Sequence, residues 1–150
     1  MKQIILFLIY LVLLLASCGS SLERKENNSS SRLTAKFQKM KIIIGSTSFT
    51  ATLHDNETAR AFRKLLPLTL KMTELNGNEK FADLKKELPV DAYNPGKIQN
   101  GDLLLYGSNT LVVFYKSFNT SYSYTKLGKI DNPEGLAAAL GSRDITVSFE

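Results

Sequence analysis

Residues 101–130 read G-D-L-L-L-Y-G-S-N-T-L-V-V-F-Y-K-S-F-N-T-S-Y-S-Y-T-K-L-G-K-I. This stretch holds four of the six tyrosines and two of the eight phenylalanines, and its apolar runs are interrupted by residues that favour tight turns. Aromatic and β-branched residues favour strands, and two such runs joined by a short segment containing Gly are typical of a hairpin. The stretch therefore predicts a β-ribbon at the centre of the fold.

The first half of this ribbon differs from the second. Residues 103–106 and 111–115 are continuously apolar, apart from the tyrosine hydroxyls, and are joined by Gly107-Ser108-Asn109-Thr110. Continuous apolar strands are typical of burial on both faces. We therefore expect two barrel strands that a helix covers on the outside.

The second half interleaves rings with hydroxyl side chains. Side chains alternate across a strand, so Tyr122 and Tyr124 are expected on one face. Rings with polar tips are effective contact residues for ligands, although aromatic residues in strands also serve the core and strand pairing. Both interpretations stay open for the candidate ligand-binding residues of this region, which are Tyr115, Ser117, Phe118, Tyr122 and Tyr124.

The amino terminus has the pattern of an export signal. Lys2 precedes an apolar run over residues 4–15, which is shorter than a membrane span and is followed by small residues. The end of the run, Leu15-Ala16-Ser17-Cys18-Gly19, resembles the bacterial lipobox, in which the cysteine is acylated and the chain is cut just before it. An ordinary signal peptide with a coincidental cysteine is the alternative.

We accordingly predict three segments: a lipoprotein signal peptide (1–17), a flexible tether that begins at the acylated Cys18 (18–38) and one folded domain (39–150). The tether is rich in Ser, Asn and charged residues, which bury little apolar surface. Several acyl chains on Cys18 would anchor the protein stably to a membrane. The expected location is the bacterial cell envelope, at the outer membrane or the periplasmic face, because Gly19 rather than an aspartate follows the cysteine.

Charge and rare residues exclude several classes of partner. The formal net charge is +5, but residues 1–38 carry five basic and two acidic side chains, which leaves +2 for residues 39–150. That charge density is too low for a protein held by nucleic-acid phosphates.

A single cysteine excludes an internal disulfide and a cysteine zinc cluster. His54, the only histidine, is expected to be an exposed residue at a strand end, so we expect no metal and no cofactor. No oligomeric state is predicted.

The rest of the domain reads as short strands with two helices. Expected strands include residues 40–44, 47–53, 68–75 and 145–149. Residues 79–84 fit a returning strand, and residues 85–87 fit a short helical turn equally well. The first helix is capped by Asp55 or Asn56 and stopped by Pro67. The second begins at Pro133 and ends at Gly141. Residues 89–100 are a loop.

Arg60 lies on the basic face of the first predicted helix. This face is most simply solvated surface, but we retain Arg60 as a further candidate for ligand contact. Asp102, between Gly101 and a strand, is expected to accept backbone hydrogen bonds in a turn.

Many short strands with one early and one late helix predict a mainly β fold, either a small barrel or a strongly curled sheet whose ends the helices close. Several motifs, in order, resemble those of the bacterial cyclophilin-like domain proteins over residues 40–150. They are Ala61-Phe62 with Leu65-Leu66-Pro67-Leu68, the turn of residues 75–80, Gly101-Asp102-Leu103 with Tyr106-Gly107, and residues 114–118 and 122–130. The resemblance implies a closed cyclophilin-like barrel of about eight strands with two helices.

The resemblance does not imply prolyl isomerase activity. Cyclophilins carry a Phe-His-Arg sequence on a barrel strand, and this chain has none; no arginine falls in a predicted strand. Electrostatic catalysis needs a donor placed where charge develops in the transition state. We therefore expect a non-catalytic binding module for a small ligand or peptide, with an isomerase-like enzyme or a purely structural lipoprotein as the alternatives.

Overall fold

The structure is a computed structural model that describes residues 38–150. The predicted signal peptide, Cys18 and the tether up to residue 37 lie outside the described residues. The ten strands and two helices of the described part are β1 (Lys39–Ile44), β2 (Thr47–Leu53), α1 (Glu57–Arg63), β3 (Leu68–Leu75), β4 (Glu79–Asp83), β5 (Lys97–Ile98), β6 (Asp102–Tyr106), β7 (Thr110–Phe114), β8 (Phe118–Asn119), β9 (Thr125–Ile130), α2 (Leu136–Leu140) and β10 (Ile145–Phe149).

Eight of these strands form a closed antiparallel barrel in the order β1-β10-β3-β4-β7-β6-β9-β2. The other two, β5 and β8, pair with each other in a separate two-stranded sheet. The mainly β fold with a closed barrel and two helices is therefore confirmed, and the curled open sheet is not what forms. Residues 79–83 form the returning strand, and residues 85–87 form no helix.

Local sequence explains the tight connections. Asn76 and Gly77 are the central residues of a turn in which the Asn78 N–H donates to the Leu75 carbonyl at 3.3 Å, and both have the positive φ angles, 57° and 68°, that a type I′ turn requires. The side chain of Asn56, rather than that of Asp55, caps α1 by accepting a 2.8 Å hydrogen bond from the backbone N–H of Ala59. These contacts set where β4 leaves β3 and where α1 begins.

The barrel interior and the inner faces of both helices form one apolar cluster. The ring of Phe62 on α1 meets that of Phe149 on β10 edge-on at 6.2 Å. Leu136 and Leu140 of α2 are buried in the same cluster. The helices therefore contribute to the interior of the barrel rather than covering its outer wall.

A second, smaller apolar cluster lies on the outside of β6 and β7, and it corrects one prediction. Leu104, Val112 and Phe114 are buried there against Ile98 of β5 and Tyr124, with Phe81 and Phe118 packed alongside. The continuous apolar runs are buried on both faces as predicted, but the outer cover is the β5–β8 pair and the segment after it. The prediction of a covering helix was wrong, because both short helices bury their apolar faces in the interior cluster.

The second helix also starts later than predicted, at Leu136 instead of Pro133. Gly135, directly before it, has φ of 77°, a left-handed conformation that interrupts a right-handed helix. Asn132 instead closes a turn by accepting a 3.1 Å hydrogen bond from the Glu134 N–H. Gly141 ends the helix as predicted.

No helix among residues 38–150 is both long enough and apolar enough to cross a membrane.

Candidate functional site

A cleft of about 600 Å³ opens on the outer surface of the barrel beside this second cluster. Its floor is the outward face of β4 and β7 with the end of β6, and one wall is the segment of residues 118–124. The lining residues are Leu75, Asn76, Asn78, Glu79, Phe81, Asp83, Tyr106, Thr110, Val112, Phe118, Asn119, Thr120, Ser121, Tyr122 and Tyr124.

Strand register places the floor residues in rows. Asp83 lies opposite Thr110, which lies opposite Tyr106, and Phe81 lies opposite Val112 in the same way. Directly paired side chains on one face of a sheet are in contact distance. The floor therefore carries an acidic and hydroxyl row next to an apolar one.

The aromatic wall is organised around Tyr106. Its ring centroid lies 6.2 Å from that of Tyr122 and 5.7 Å from that of Tyr124. Tyr122 is 62% exposed, whereas Tyr124 is only 5% exposed and packs edge-on against Phe114 at 5.6 Å. The Tyr122 ring is thus an exposed contact surface that packs on a buried aromatic base.

The expectation that Tyr122 and Tyr124 share a strand face was wrong. Strand β8 ends at Asn119, and Tyr124 pairs with Tyr93 in an isolated bridge, so residues 120–123 are not part of a strand. The backbone N–H of Tyr122 instead donates to the Thr120 hydroxyl at 3.1 Å. The two tyrosines meet the same cleft because both rings contact Tyr106, not because of strand alternation.

The cleft is acidic. Of the described residues that line it, Glu79 and Asp83 are the only ones with charged side chains. Burial, with a further contribution from nearby Glu74, raises the pKa of Glu79 above its ordinary value. Asp83 accepts a 2.7 Å hydrogen bond from the Thr110 hydroxyl. The carbonyl oxygen of the Asn78 side chain is buried and has no hydrogen-bond partner, which is an uncommon and costly state for a polar atom.

Three of the six candidate residues from the sequence line this cleft, namely Phe118, Tyr122 and Tyr124. The other three do not. The Ser117 hydroxyl accepts a 2.9 Å hydrogen bond from the Asn100 N–H, and Arg60 pairs with Asp55 at 2.6 Å on α1. Tyr115 is 5% exposed and belongs to the interior cluster. The structure therefore gives these three side chains other contacts.

Tyr115 is part of a buried polar cluster with Glu74 and Lys80. Its hydroxyl lies 2.8 and 2.9 Å from the two carboxylate oxygens of Glu74, to which it donates. Burial and this bond to Glu74 raise the pKa of Tyr115 to about 12. Burial alone would raise the pKa of Glu74, but hydrogen bonds from Lys80 and Tyr115 outweigh it and lower that pKa. The Tyr115 side chain is thus held inside the barrel and does not reach the cleft.

Two further residues match their predicted positions. Asp102 accepts a 2.8 Å hydrogen bond from the Gln99 N–H, as expected of a turn residue. His54 directly follows β2 and is exposed. Within residues 38–150, no three His, Cys, Asp or Glu side chains are grouped as metal ligands would be.

The acidic side of the cleft was not predicted from the sequence. Glu79, Phe81 and Asp83 alternate along β4, so they share its outward face while Lys80 and Ala82 point inward and are buried. That alternation was visible in the sequence once residues 79–83 were taken as a strand. No sequence pattern predicted that Tyr106 and Asn78 line the cleft, because their positions at the cleft depend on how the barrel closes.

Together, the closed barrel, the two helices that pack into its interior and the external cleft define a small barrel protein with a ligand-sized cleft on its outer wall. A profile of the cyclophilin-like family matches residues 42–150, and the chain belongs to that family. The fold is also similar to the solution structure of the hypothetical protein AF2241 from Archaeoglobus fulgidus, with 18% identity and a TM-score of 0.52. That match covers 75% of this chain and 93% of the other. No curated protein has a significant match to the chain.

Proposed function

We propose that this protein is a lipid-anchored cell-envelope protein whose cyclophilin-like domain binds a small ligand or an extended peptide in the external cleft. One observation carries the proposal. Among the described residues, four large apolar side chains are exposed, Leu75, Val90, Tyr106 and Tyr122, and all but Val90 line the cleft. Exposed apolar side chains that are grouped rather than scattered mark binding surfaces.

The size and chemistry of the cleft support the same proposal. Its volume of about 600 Å³ falls within the range of roughly 300–1,000 Å³ that is usual for ligand sites. Such sites combine apolar walls with a few polar groups that orient the ligand. Here the apolar wall comes from tyrosine and phenylalanine rings, and the polar groups come from Asn78, Glu79, Asp83 and the hydroxyls of residues 120–121.

We propose binding rather than prolyl isomerisation because no described arginine lines the cleft. The arginines of the described residues, Arg60, Arg63 and Arg143, are not among the residues that line the cleft. A donor for the twisted prolyl amide would have to be positioned in the site itself. The cleft lining supplies carboxylate acceptors and aromatic rings instead of a cationic donor.

The membrane anchor in this proposal depends on Cys18. We expect the full chain to partition into the detergent phase of a phase-separating detergent extract, and Cys18→Ala to move it to the aqueous phase or leave an uncleaved precursor. Acylation adds about 0.8 kcal/mol of membrane affinity per buried methylene, so losing the acyl chains has a large effect. Metabolic labelling with an alkyne fatty acid provides the measurement. Ser17→Ala keeps the small residue before the cysteine and serves as the control; equal labelling of Cys18→Ala and wild type would contradict the anchor.

The cleft is tested with Tyr122. We expect the full-length protein in nonionic micelles to select binders from a library of extended heptapeptides, and Tyr122→Ser to weaken the selected peptides about tenfold, since exposed aromatic anchors commonly supply 1–2 kcal/mol or more. Fluorescence anisotropy measures the affinities.

Val90→Ser is the matched control for that substitution. Val90 is 52% exposed and lies outside the cleft lining, so this variant removes a similarly exposed apolar group elsewhere. Selected peptides that lose equal affinity with both variants, or with neither, would contradict binding in the cleft.

A further inference from the structure

Resting on the proposed function, we infer that the cleft takes an extended peptide and seats one of its basic side chains, Lys or Arg, between the acidic face of β4 and the rings of Tyr106 and Tyr122. The inference names the ligand class of the same site. It follows from the charge of the lining, from the geometry of the rings and from the unpaired edge of β8.

The first argument is charge. Both charged groups of the cleft lining are carboxylates, and no described Lys, Arg or His side chain is within salt-bridge distance of Glu79 or Asp83. Glu79 is half-buried beside the Glu74 carboxylate. A half-buried carboxylate near a second one is stabilised when a cation approaches. The domain as a whole has an excess of basic residues, so the acidic character is local to this surface.

The second argument is shape. Glu79 and Asp83 are four residues apart on one strand face, about 13 Å by strand rise, with Phe81 between them. An aliphatic stem can lie on Phe81 while its charged end reaches a carboxylate. The exposed ring of Tyr122 and the half-exposed ring of Tyr106 stand edge-on to each other, and tyrosine faces attract ammonium and guanidinium groups. Asn78 lines the same wall.

The third argument favours a peptide over a free amine. Strand β8 pairs with β5 on one edge and with no other strand of the described residues. Phe118 and Asn119 of β8 line the cleft, whereas neither residue of β5 does. An unpaired strand edge binds extended peptides by adding a strand, while side-chain pockets next to it supply specificity. The basic side chain would then enter the pocket as the peptide backbone follows β8.

The experiment uses three blocked heptapeptides that differ only at the central residue, which is lysine, norleucine or glutamate, with threonine and valine flanks. Norleucine matches the lysine stem without the ammonium group. Affinities for the full-length protein in nonionic micelles are measured by anisotropy at low and high salt, with Glu79→Gln, Tyr122→Ser and the control Glu87→Gln. Glu87 is exposed and lies outside the cleft lining. Circular dichroism confirms that each variant is folded.

We expect the lysine peptide to bind about tenfold tighter than the norleucine peptide, and the glutamate peptide to bind weakest. Glu79→Gln should remove most of the lysine preference, Glu87→Gln should leave it unchanged, and added salt should reduce it. Equal affinity for lysine and norleucine peptides, both weakened by Tyr122→Ser, would overturn the inference and leave the proposed function standing. If n-butylamine displaces the lysine peptide as strongly as unlabelled peptide does, the peptide part is wrong. Binding that no cleft substitution changes would overturn both proposals.

Discussion

Replacing Lys80 with methionine is expected to lower the free energy of unfolding by about 3 kcal/mol. The Lys80 side chain is fully buried, and its ammonium group donates to the Glu74 carboxylate and to the backbone oxygens of Gly141 and Arg143 at 2.9 and 2.8 Å. All three N–H donors are therefore used. Methionine fills much of the same volume but leaves the Glu74 carboxylate without its counter-ion and two backbone carbonyls without the Lys80 donor.

The expected loss of stability follows from the Glu74 carboxylate that remains after the substitution. Removing one partner of a buried ion pair typically costs about 3–5 kcal/mol. Glu74 keeps 18% exposure of its side chain, so water can solvate it in part, and the lower end of the range applies. Small domains are stable by only about 5–15 kcal/mol, so the loss is a large fraction of the total. Urea unfolding followed by far-ultraviolet circular dichroism measures it.

Two further variants make the test specific. Lys71→Met changes an exposed lysine of the neighbouring strand β3 and should alter stability by less than about 0.5 kcal/mol. The double variant Lys80→Met with Glu74→Met should lose less than the sum of the single changes, because the uncompensated carboxylate is gone. Strictly additive losses, or a Lys80→Met protein as stable as wild type, would show that this ion pair does not hold β4 in place.

Lys80 matters for the site because of its neighbours in sequence. It points into the barrel, whereas Glu79 and Phe81 on either side of it point into the cleft. Its bond to Gly141, which ends α2, also joins β4 to the second helix. The buried ion pair therefore positions the strand that carries the acidic side of the cleft.

Gly128→Ala is expected to destabilise the barrel by about 2–3 kcal/mol, which for a domain of this size lowers the melting temperature by roughly 10 °C. Gly128 lies in β9 between Leu53 of β2 and Leu103 of β6. A β-carbon there would lie 2.6 Å from the backbone oxygen of Thr52 and 3.1 Å from the α-carbon of Leu53. Backbone atoms of a closed barrel cannot move aside without breaking strand pairs on both sides.

The control for this variant is Gly45→Ala. Gly45 has φ of 58° in the β1–β2 turn, and a β-carbon there would meet no atom within 4 Å. The cost is then only that of the left-handed conformation, about 1 kcal/mol. Thermal unfolding compares the two; a larger loss for Gly45→Ala than for Gly128→Ala would mean that close packing at β9 is not the constraint.

Much of the fold followed from local patterns. Alternation predicted β2, β3 and β10, the Gly-Ser and Asn-Gly pairs predicted their turns, and Gly141 predicted the end of α2. These features depend on neighbours a few residues away, which the chain order itself specifies. The start of α2 was mispredicted because proline is as compatible with the turn that Asn132 closes as with the first position of a helix.

The sequence predicted only part of the candidate site. The interleaved rings and hydroxyls of residues 117–125 indicated one wall of the candidate cleft, and Phe118, Tyr122 and Tyr124 line it. Tyr115 was grouped with them by proximity in sequence, yet its ring turns into the barrel to reach Glu74, which lies 41 positions away in the chain. Arg60 and Ser117 likewise have partners of their own.

The sequence by itself determined a mainly β domain with two short helices and an aromatic ribbon at the centre. The export signal and the acylation site at Cys18 stay predictions from the sequence. Only the tertiary structure decided which residues face each other across the barrel wall. Closing eight strands brings β4 beside β7, and it is this pairing, between segments about thirty residues apart, that places Glu79, Phe81 and Asp83 next to Thr110 and Val112. Long-range register depends on the packing of the whole barrel, so the alternation along β4, although visible in the sequence, could not show that this face borders a cleft.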